Sequence, residues 1–242
     1  MNRFARFAAE YAAVPADSLI ELPKNVTYEE AAMLEPMAVA VHSIRAIALG
    51  KNDKTVVCGL GTIGLFIAMY LKEAGIENIF VIGNKDFQKQ KALQLGIQED
   101  NYCDSRNENI SEWIMNKTDG AGADVFFECV GRNETIAQAL SLTGAAGRVM
   151  LVGNPATDMT LNKGVYWKIL RNQLTVMGTW NSSFTHEQED DWHYVLDKLE
   201  TRRIAPIELI THKFPLEELY KGFQIMRDKS EEYGKIMGIN PS

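Results

Sequence analysis

The sequence predicts an α/β fold, a doubly wound parallel sheet with helices on both faces. Three observations carry that reading. The apolar run Thr55 to Cys58 breaks into Gly59, Gly61 and Gly64 and continues as LFIAMYLKEAG, which is the pattern of strand, glycine turn and helix. Further apolar runs, ENIFVIG, ADVFFECVG, GRVMLVG and QLTVMGTW, then alternate with helical patterns without repeats or low-complexity spacers. These runs are continuous rather than alternating apolar and polar, as parallel strands buried on both faces require.

Each glycine of the turn has its own task. Gly59 makes the tight turn, Gly61 leaves room for a pyrophosphate, and Gly64 lets the helix close on the strand. The helix opening at Thr62 and Ile63 offers unpaired N–H groups and the positive end of its dipole to a phosphate. ENIFVIG begins about where a ~30-residue βαβ unit needs its second strand. A dinucleotide is therefore the expected ligand, in preference to a purely structural turn.

Ahead of that unit, Phe7 to Ile20 reads as an extended segment and PADSLIELP as strand and turn. Thr27 and Glu30 form a capping box that opens a helix over EEAAMLEP. Pro36 is expected to interrupt it, with AVAVHSIRAIALG as a second helix closed by Gly50. Beyond the turn, helices end at Gly75 and Gly96, FQKQKALQLG is a short helix, Cys103 lies in a polar stretch, and ISEWIMNKT and NETIAQALSLTGAAG are helices. After Gly178 the rhythm changes. Thr185 with Gln188 reads as a cap for a helix carrying Trp192, Val195, Leu196 and Leu199, and the acids Glu187, Glu189, Asp190 and Asp191 as its solvated first turn. ELITHKF, PLEELYKGFQIMRD and GKIMGI finish as strand, helix and strand, outside the main sheet.

A chain of 242 residues can bury a sizeable core, and its net charge of −7 argues against a nucleic-acid surface. Cys58, Cys103 and Cys129 lie far apart with no CxxC spacing, so no disulfide framework or cysteine zinc cluster is expected. No apolar stretch reads as a signal peptide or membrane span, which points to a cytoplasmic protein with no membrane partner.

Taken together, AEYAAVPADSLIELP, EEAAMLEPMAVAVH, VVCGLGTIGL, DVFFECVG, GRVMLVG, ILRNQLTVMGTWNSSF and LITHKFPLEELYKGFQIM with GKIMGI resemble the medium-chain dehydrogenase/reductase superfamily. The likeness is to its zinc-dependent polyol and sugar-phosphate dehydrogenases, closest to galactitol-1-phosphate and sorbitol-type members. It implies residues 1–35 as a remnant of a GroES-like catalytic lobe, 36–178 as a Rossmann domain binding NAD(P), and 179–242 as the C-terminal part of the catalytic lobe. The implied activity is hydride transfer between a polyol or sugar phosphate and nicotinamide, with zinc polarising the alcohol oxygen. Such members carry zinc ligands in an N-terminal segment that this chain lacks. Only Glu35 matches a ligand position, so the expectation is a truncated chain without its catalytic zinc. No catalytic residue is assigned. A nucleotide-binding module without turnover is the alternative, while a methyltransferase fits the later motifs poorly.

The resemblance also places the coenzyme. In NAD-preferring members an acidic residue ends the second strand; here that position falls on Gly83, followed by Asn84 and Lys85. This resembles the Gly-Ser-Arg of NADP-dependent members and favours NADP, with Lys85 as a point charge for the phosphate. Sugar-phosphate members mostly use NAD, so both coenzymes stay open. Cys129, Val130 and Gly131 are expected on the adenine-ribose side, Val152 and Gly153 near the nicotinamide ribose, Gly178 and Thr179 near the carboxamide, and Lys235 near the pyrophosphate. His42 reads as a packed histidine, Arg148 and Arg171 as solvated surface, and a homodimer through the Rossmann domain is implied.

Overall fold

Six short strands set the architecture: β1 (Lys54–Cys58), β2 (Asn78–Gly83), β3 (Tyr102–Asp104), β4 (Ala123–Glu128), β5 (Thr143–Leu151) and β6 (Thr175–Gly178). They form one parallel sheet in the order β3-β2-β1-β4-β5-β6. The computed structural model describes residues 12–240, so the start of the expected extended segment and of the 1–35 remnant lies outside the described residues.

Alternate strand residues point to opposite faces, and each face is covered. On one, Val57, Val81, Val125 and Phe127 pack with α2 (Leu34–Ala46), α3 (Thr62–Glu73) and α8 (Asp191–Glu200). On the other, Val56, Phe80, Ile82 and Phe126 pack with α5 (Ile110–Lys117), α6 (Asn133–Leu142) and α7 (Lys163–Arg171). The short helices α1 (Tyr28–Ala31) and α4 (Asp86–Gln94) complete this part of the chain. β7 (Ile210–Pro215) and β8 (Lys235–Ile239) form a separate parallel pair joined through α9 (Leu219–Asp228).

The Thr27 cap is formed as expected: the Thr27 hydroxyl accepts the Glu30 N–H at 3.2 Å and the Glu30 carboxylate accepts the Thr27 N–H at 2.9 Å. Several other elements differ from expectation. PADSLIELP contains a single 3₁₀ turn, Ala16–Ser18, and no strand. Pro36 does not interrupt a helix, because it sits in the first turn of α2, where its missing N–H has no intrahelical partner to lose. That helix stops at Ala46, before Gly50, where buried Ile47 turns extended. The polar stretch around Cys103 is the edge strand β3, and Lys163–Arg171 is a helix that the pattern did not reveal.

The start of α8 is the largest correction. Its cap is Asp190, not Thr185, and the Asp190 carboxylate accepts N–H bonds from His193 at 2.8 Å, Thr185 at 2.8 Å and His186 at 3.1 Å. Asp191 is buried instead of solvated. It bonds His42 Nδ1 at 2.8 Å, Arg45 at 3.1 Å and the Ser183 N–H and hydroxyl, each at 2.8 Å. Burial pushes both carboxyls up, but for Asp190 the hydrogen bonds from His193 and Thr185, and for Asp191 those from Ser183 and His42, hold them below their ordinary value. His42 is accordingly half-exposed and paired. Arg148 is tied to Asp53 at 2.8 Å and to the Ala48 carbonyl, while the Arg171 guanidinium lies 4.8 Å from the centre of the Trp167 ring.

Candidate dinucleotide-binding site

Strand order reverses between β1 and β4, and the crevice beyond the carboxyl ends of the strands at such a switch point is where open α/β sheets take ligands. A cleft of about 540 Å³ lies there. Its lining comes from three loops: Cys58 to Gly61 after β1, Ile82 to Asn84 with Gln88 after β2, and Cys129, Val130, Arg132 and Thr135 after β4. Ser105 and Ile110 close the β3 side.

The glycine turn shows why these positions carry no side chain. Gly59 has φ +95°, and a Cβ on it would come within 2.5 Å of the Val130 side chain. On Gly64 a Cβ would overlap the Gly59 carbonyl oxygen. Gly61 differs from both: a Cβ there would meet nothing within 4 Å, so the space above it is open. Gly61 is also the N-cap of α3 and has no side-chain cap; the first intrahelical bond is Leu65 N–H to the Gly61 carbonyl at 3.0 Å. The N–H groups of Thr62, Ile63 and Gly64 therefore have no intrahelical acceptor, and they sit at the positive end of the helix dipole.

At the end of β2, Gly83 is packed tightly. A Cβ on it would lie 2.5 Å from Tyr102 Oη and 2.9 Å from Gln88 Oε1. The Asn84 N–H donates to Gln88 Oε1 at 2.9 Å, and the Gly83 carbonyl accepts the Ser105 N–H and hydroxyl at 2.9 and 3.1 Å. Lys85 does not line the cleft; its ammonium stands over the Tyr233 ring, 5.3 Å from the centroid. Arg106 joins Asp86 at 2.5 Å and Asp104 at 2.6 Å, and its hydrogen bonds pull the Asp104 carboxyl down to about 2.

On the opposite wall Glu128 is fully buried and organises its loop by accepting the Val130 N–H at 2.9 Å, the Gly131 N–H at 2.9 Å and the Thr135 hydroxyl at 2.7 Å. Burial first, and the nearby Glu128 second, push the Cys58 thiol up to about 12 and the Cys129 thiol well above its ordinary value. Both thiols are therefore neutral at physiological pH.

Of the residues expected at the coenzyme, Gly59, Gly61, Gly83, Asn84, Cys129 and Val130 line the cleft, with Thr62, Ile63 and Gly64 in the adjoining helix turn. Gly131, Val152, Gly153, Gly178 and Thr179 do not line it. They end or follow β4, β5 and β6 at the same carboxyl edge of the sheet, where the Val152 and Gly153 N–H groups bond the Glu128 carbonyl at 2.8 and 2.9 Å. Gly178 faces open space, and the Thr179 hydroxyl is buried without a partner. Lys235 begins β8, away from the cleft lining. Sequence reasoning missed Gln88, Ser105, Ile110, Arg132 and Thr135. Recognising β3 would have brought Ser105 to the carboxyl edge.

The family model for zinc-binding dehydrogenases matches residues 62–201. The chain belongs to that family. It is 31% identical over 231 residues to the sorbitol dehydrogenase of Halalkalibacterium halodurans, covering 95% of this chain and 64% of the relative. It is also 30% identical to the L-threonine 3-dehydrogenase of Bacillus subtilis, covering 96% and 63%. The solved galactitol-1-phosphate dehydrogenase of Escherichia coli superposes with a TM-score of 0.82 at 25% identity, covering 94% and 65%. The chain thus spans just under two thirds of these proteins' lengths. No helix among the described residues is long and apolar enough to cross a membrane.

The family name implies zinc, and the described residues do not fit it. Glu35 is exposed in the first turn of α2, and among the described residues no three His, Cys, Asp or Glu side chains group as a metal site. A catalytic zinc needs three protein ligands and an open position.

Proposed function

We propose that this chain is the coenzyme-binding part of an NAD(P)-dependent dehydrogenase that transfers hydride between a polyol or sugar phosphate and nicotinamide. The observation that carries the reading is the open space over Gly61 beside the uncapped start of α3, at the switch point of the sheet. A pyrophosphate fits that space: Thr62, Ile63 and Gly64 supply N–H donors, and Gly83, Asn84, Cys129 and Val130 flank the adenosine end. The nicotinamide, when bound, supplies the carbon that accepts or gives up hydride. Val152, Gly153, Gly178 and Thr179 lie toward the nicotinamide end of the same edge, and Lys235 is assigned to the pyrophosphate by resemblance alone. The absence of a carboxylate at Gly83 favours NADP over NAD, with Lys85 leaving Tyr233 to meet the phosphate.

A nucleotide-binding module without turnover is the second reading, supported by the lack, among the described residues, of a group of three ligand-type side chains that could hold a metal with Glu35. Polyol and sugar-phosphate substrates are taken from the relatives' names. We place the protein in the cytoplasm, consistent with three free cysteines. A homodimer through the open edge of β6 is part of the proposal; Trp180, Val176 and Leu170 are exposed there and on the adjacent helix α7.

Titration with NADPH and NADH, followed by nicotinamide fluorescence, tests the reading. Saturable binding with NADPH the tighter ligand, and loss of that preference in Lys85→Ala, supports it; binding of neither coenzyme overturns it. Turnover of any polyol or sugar phosphate would eliminate the second reading.

A further inference from the structure

We propose that Tyr102, on edge strand β3, is a specificity-determining residue of the cleft: its phenol occupies the space a side chain at position 83 needs and so keeps a carboxylate out of the ribose end. The inference rests on the dinucleotide reading above and adds a residue that the glycine motif does not contain.

The geometry is local and rigid. In the β2–β3 register Tyr102 pairs with Val81, two residues before Gly83. Its buried ring runs along the strand end, and its hydroxyl donates to the Lys85 carbonyl at 3.3 Å. A Cβ at position 83 would stand 2.5 Å from Oη and 3.1 Å from Cζ. Gln88 Oε1, at 2.9 Å, is the tip of an unbranched side chain held by the Asn84 N–H, and it can swing aside at the cost of that one bond. The phenol has no such freedom, being held by its strand at one end and by the Lys85 carbonyl at the other. Displacing it would break the bond that shapes the entry into α4.

The consequence is chemical. Beside Gly83 the cleft is lined by the neutral Gln88 carboxamide and Ser105 hydroxyl, and the nearby acids Asp86 and Asp104, outside the lining, are paired with Arg106. A ribose 2′-hydroxyl loses the carboxylate acceptor that would select it, and a 2′-phosphate meets no carboxylate at position 83. Among the described residues the cleft's one lining carboxylate, Glu134, stands on the opposite wall with Arg132.

The test is a cycle of Gly83→Asp, Tyr102→Val and the double variant, titrated with NADPH and NADH. Wild type and Tyr102→Val should both prefer NADPH. Gly83→Asp alone should bind both coenzymes poorly, whereas the double variant should bind NADH and discriminate against NADPH by about tenfold or more, the effect of setting a carboxylate against a phosphate. If Gly83→Asp alone inverts the preference as fully as the double variant, Tyr102 has no such role, although the dinucleotide reading stands. A wild-type preference for NADH overturns the phosphate tolerance, and binding of neither coenzyme overturns the dinucleotide reading itself. Should the aspartate variants not fold, thermal melts of Gly83→Ala with and without Tyr102→Val decide the matter. The alanine should lower Tm by about 5 °C, and removal of the phenol should restore most of that loss; strictly additive shifts would overturn the proposal.

Discussion

Gly64 packs so closely beneath the Gly59 carbonyl that one added methyl would overlap that oxygen, whereas a methyl on Gly61, three residues earlier, would meet nothing. Two alanine variants of one motif should therefore fail in different ways. Gly64→Ala should destabilise the protein by about 1–3 kcal/mol, the cost of overpacking, and lose coenzyme binding with the turn. Gly61→Ala should unfold within about 1 kcal/mol of wild type in urea, because a substitution into open space disturbs no packing, yet bind coenzyme far more weakly. Equal stability losses in both would contradict the assignment of roles.

Glu128 is the keystone of the opposite wall. Replacing it with Ala leaves the Val130 and Gly131 N–H groups without their acceptor and the Thr135 hydroxyl with only the Arg132 carbonyl, at a cost of about 3 kcal/mol. Glu128→Gln retains one oxygen acceptor and should cost less. Denaturant unfolding of both variants distinguishes this from a dispensable carboxylate, which would give losses under about 0.5 kcal/mol.

The strands that carry the cleft were legible because each is a continuous apolar run with its glycine at the end, and Thr27 with Glu30 announced a cap whose partners are three residues apart. Tyr102–Asp104 was not legible, being three residues with one polar member at the sheet edge. Lys163–Arg171 escaped because its core stripe is only Val165 and Ile169, while Tyr166, Trp167 and Leu170 are largely exposed and blur the helical period. The burial of Asp191 depends on His42 and Arg45, about 150 residues earlier in the chain, and local acidity gave the opposite impression. Of the site, the glycine turn follows from the residue pattern, and Gly83 only from the family resemblance. Gln88, Ser105 and Thr135 reach the cleft through helix and loop geometry that no motif encodes.

Asp190 and Asp191 give the fold an acid limit. Their folded carboxyls lie below the ordinary value, so their contribution is fully present above the unfolded carboxylate pKa of about 4 and is lost as pH falls through the folded value. Stability should drop steeply below about pH 4. Asp191→Asn should cost about 1–3 kcal/mol at neutral pH and show a shallower acid limb in melts from pH 7 to 3. An unchanged limb would remove Asp191 from this role.

The cysteines should be inert in the native state. Burial raises Cys58 and Cys103 to about 12 and Cys129 well above its ordinary value, which leaves almost no thiolate at pH 8. In native protein the buried Cys58 and Cys103 should react with Ellman's reagent only at the rate of unfolding, and Cys129, part-exposed in the cleft, slowly for want of thiolate. Denatured protein should release three equivalents, matching its three free cysteines. Fast labelling of Cys58 or Cys103 without denaturant would contradict the structure around the cleft floor.

Amide hydrogen exchange with and without saturating NADPH addresses the central claim most directly, because it reads the backbone groups assigned to the pyrophosphate. Binding should slow exchange at Thr62, Ile63 and Gly64 together, with smaller protection around Gly83–Asn84 and Cys129–Val130. NADPH binding that leaves the amides of residues 62–64 unprotected, or protects a surface away from the carboxyl edge of the sheet, would place the coenzyme elsewhere and contradict the account.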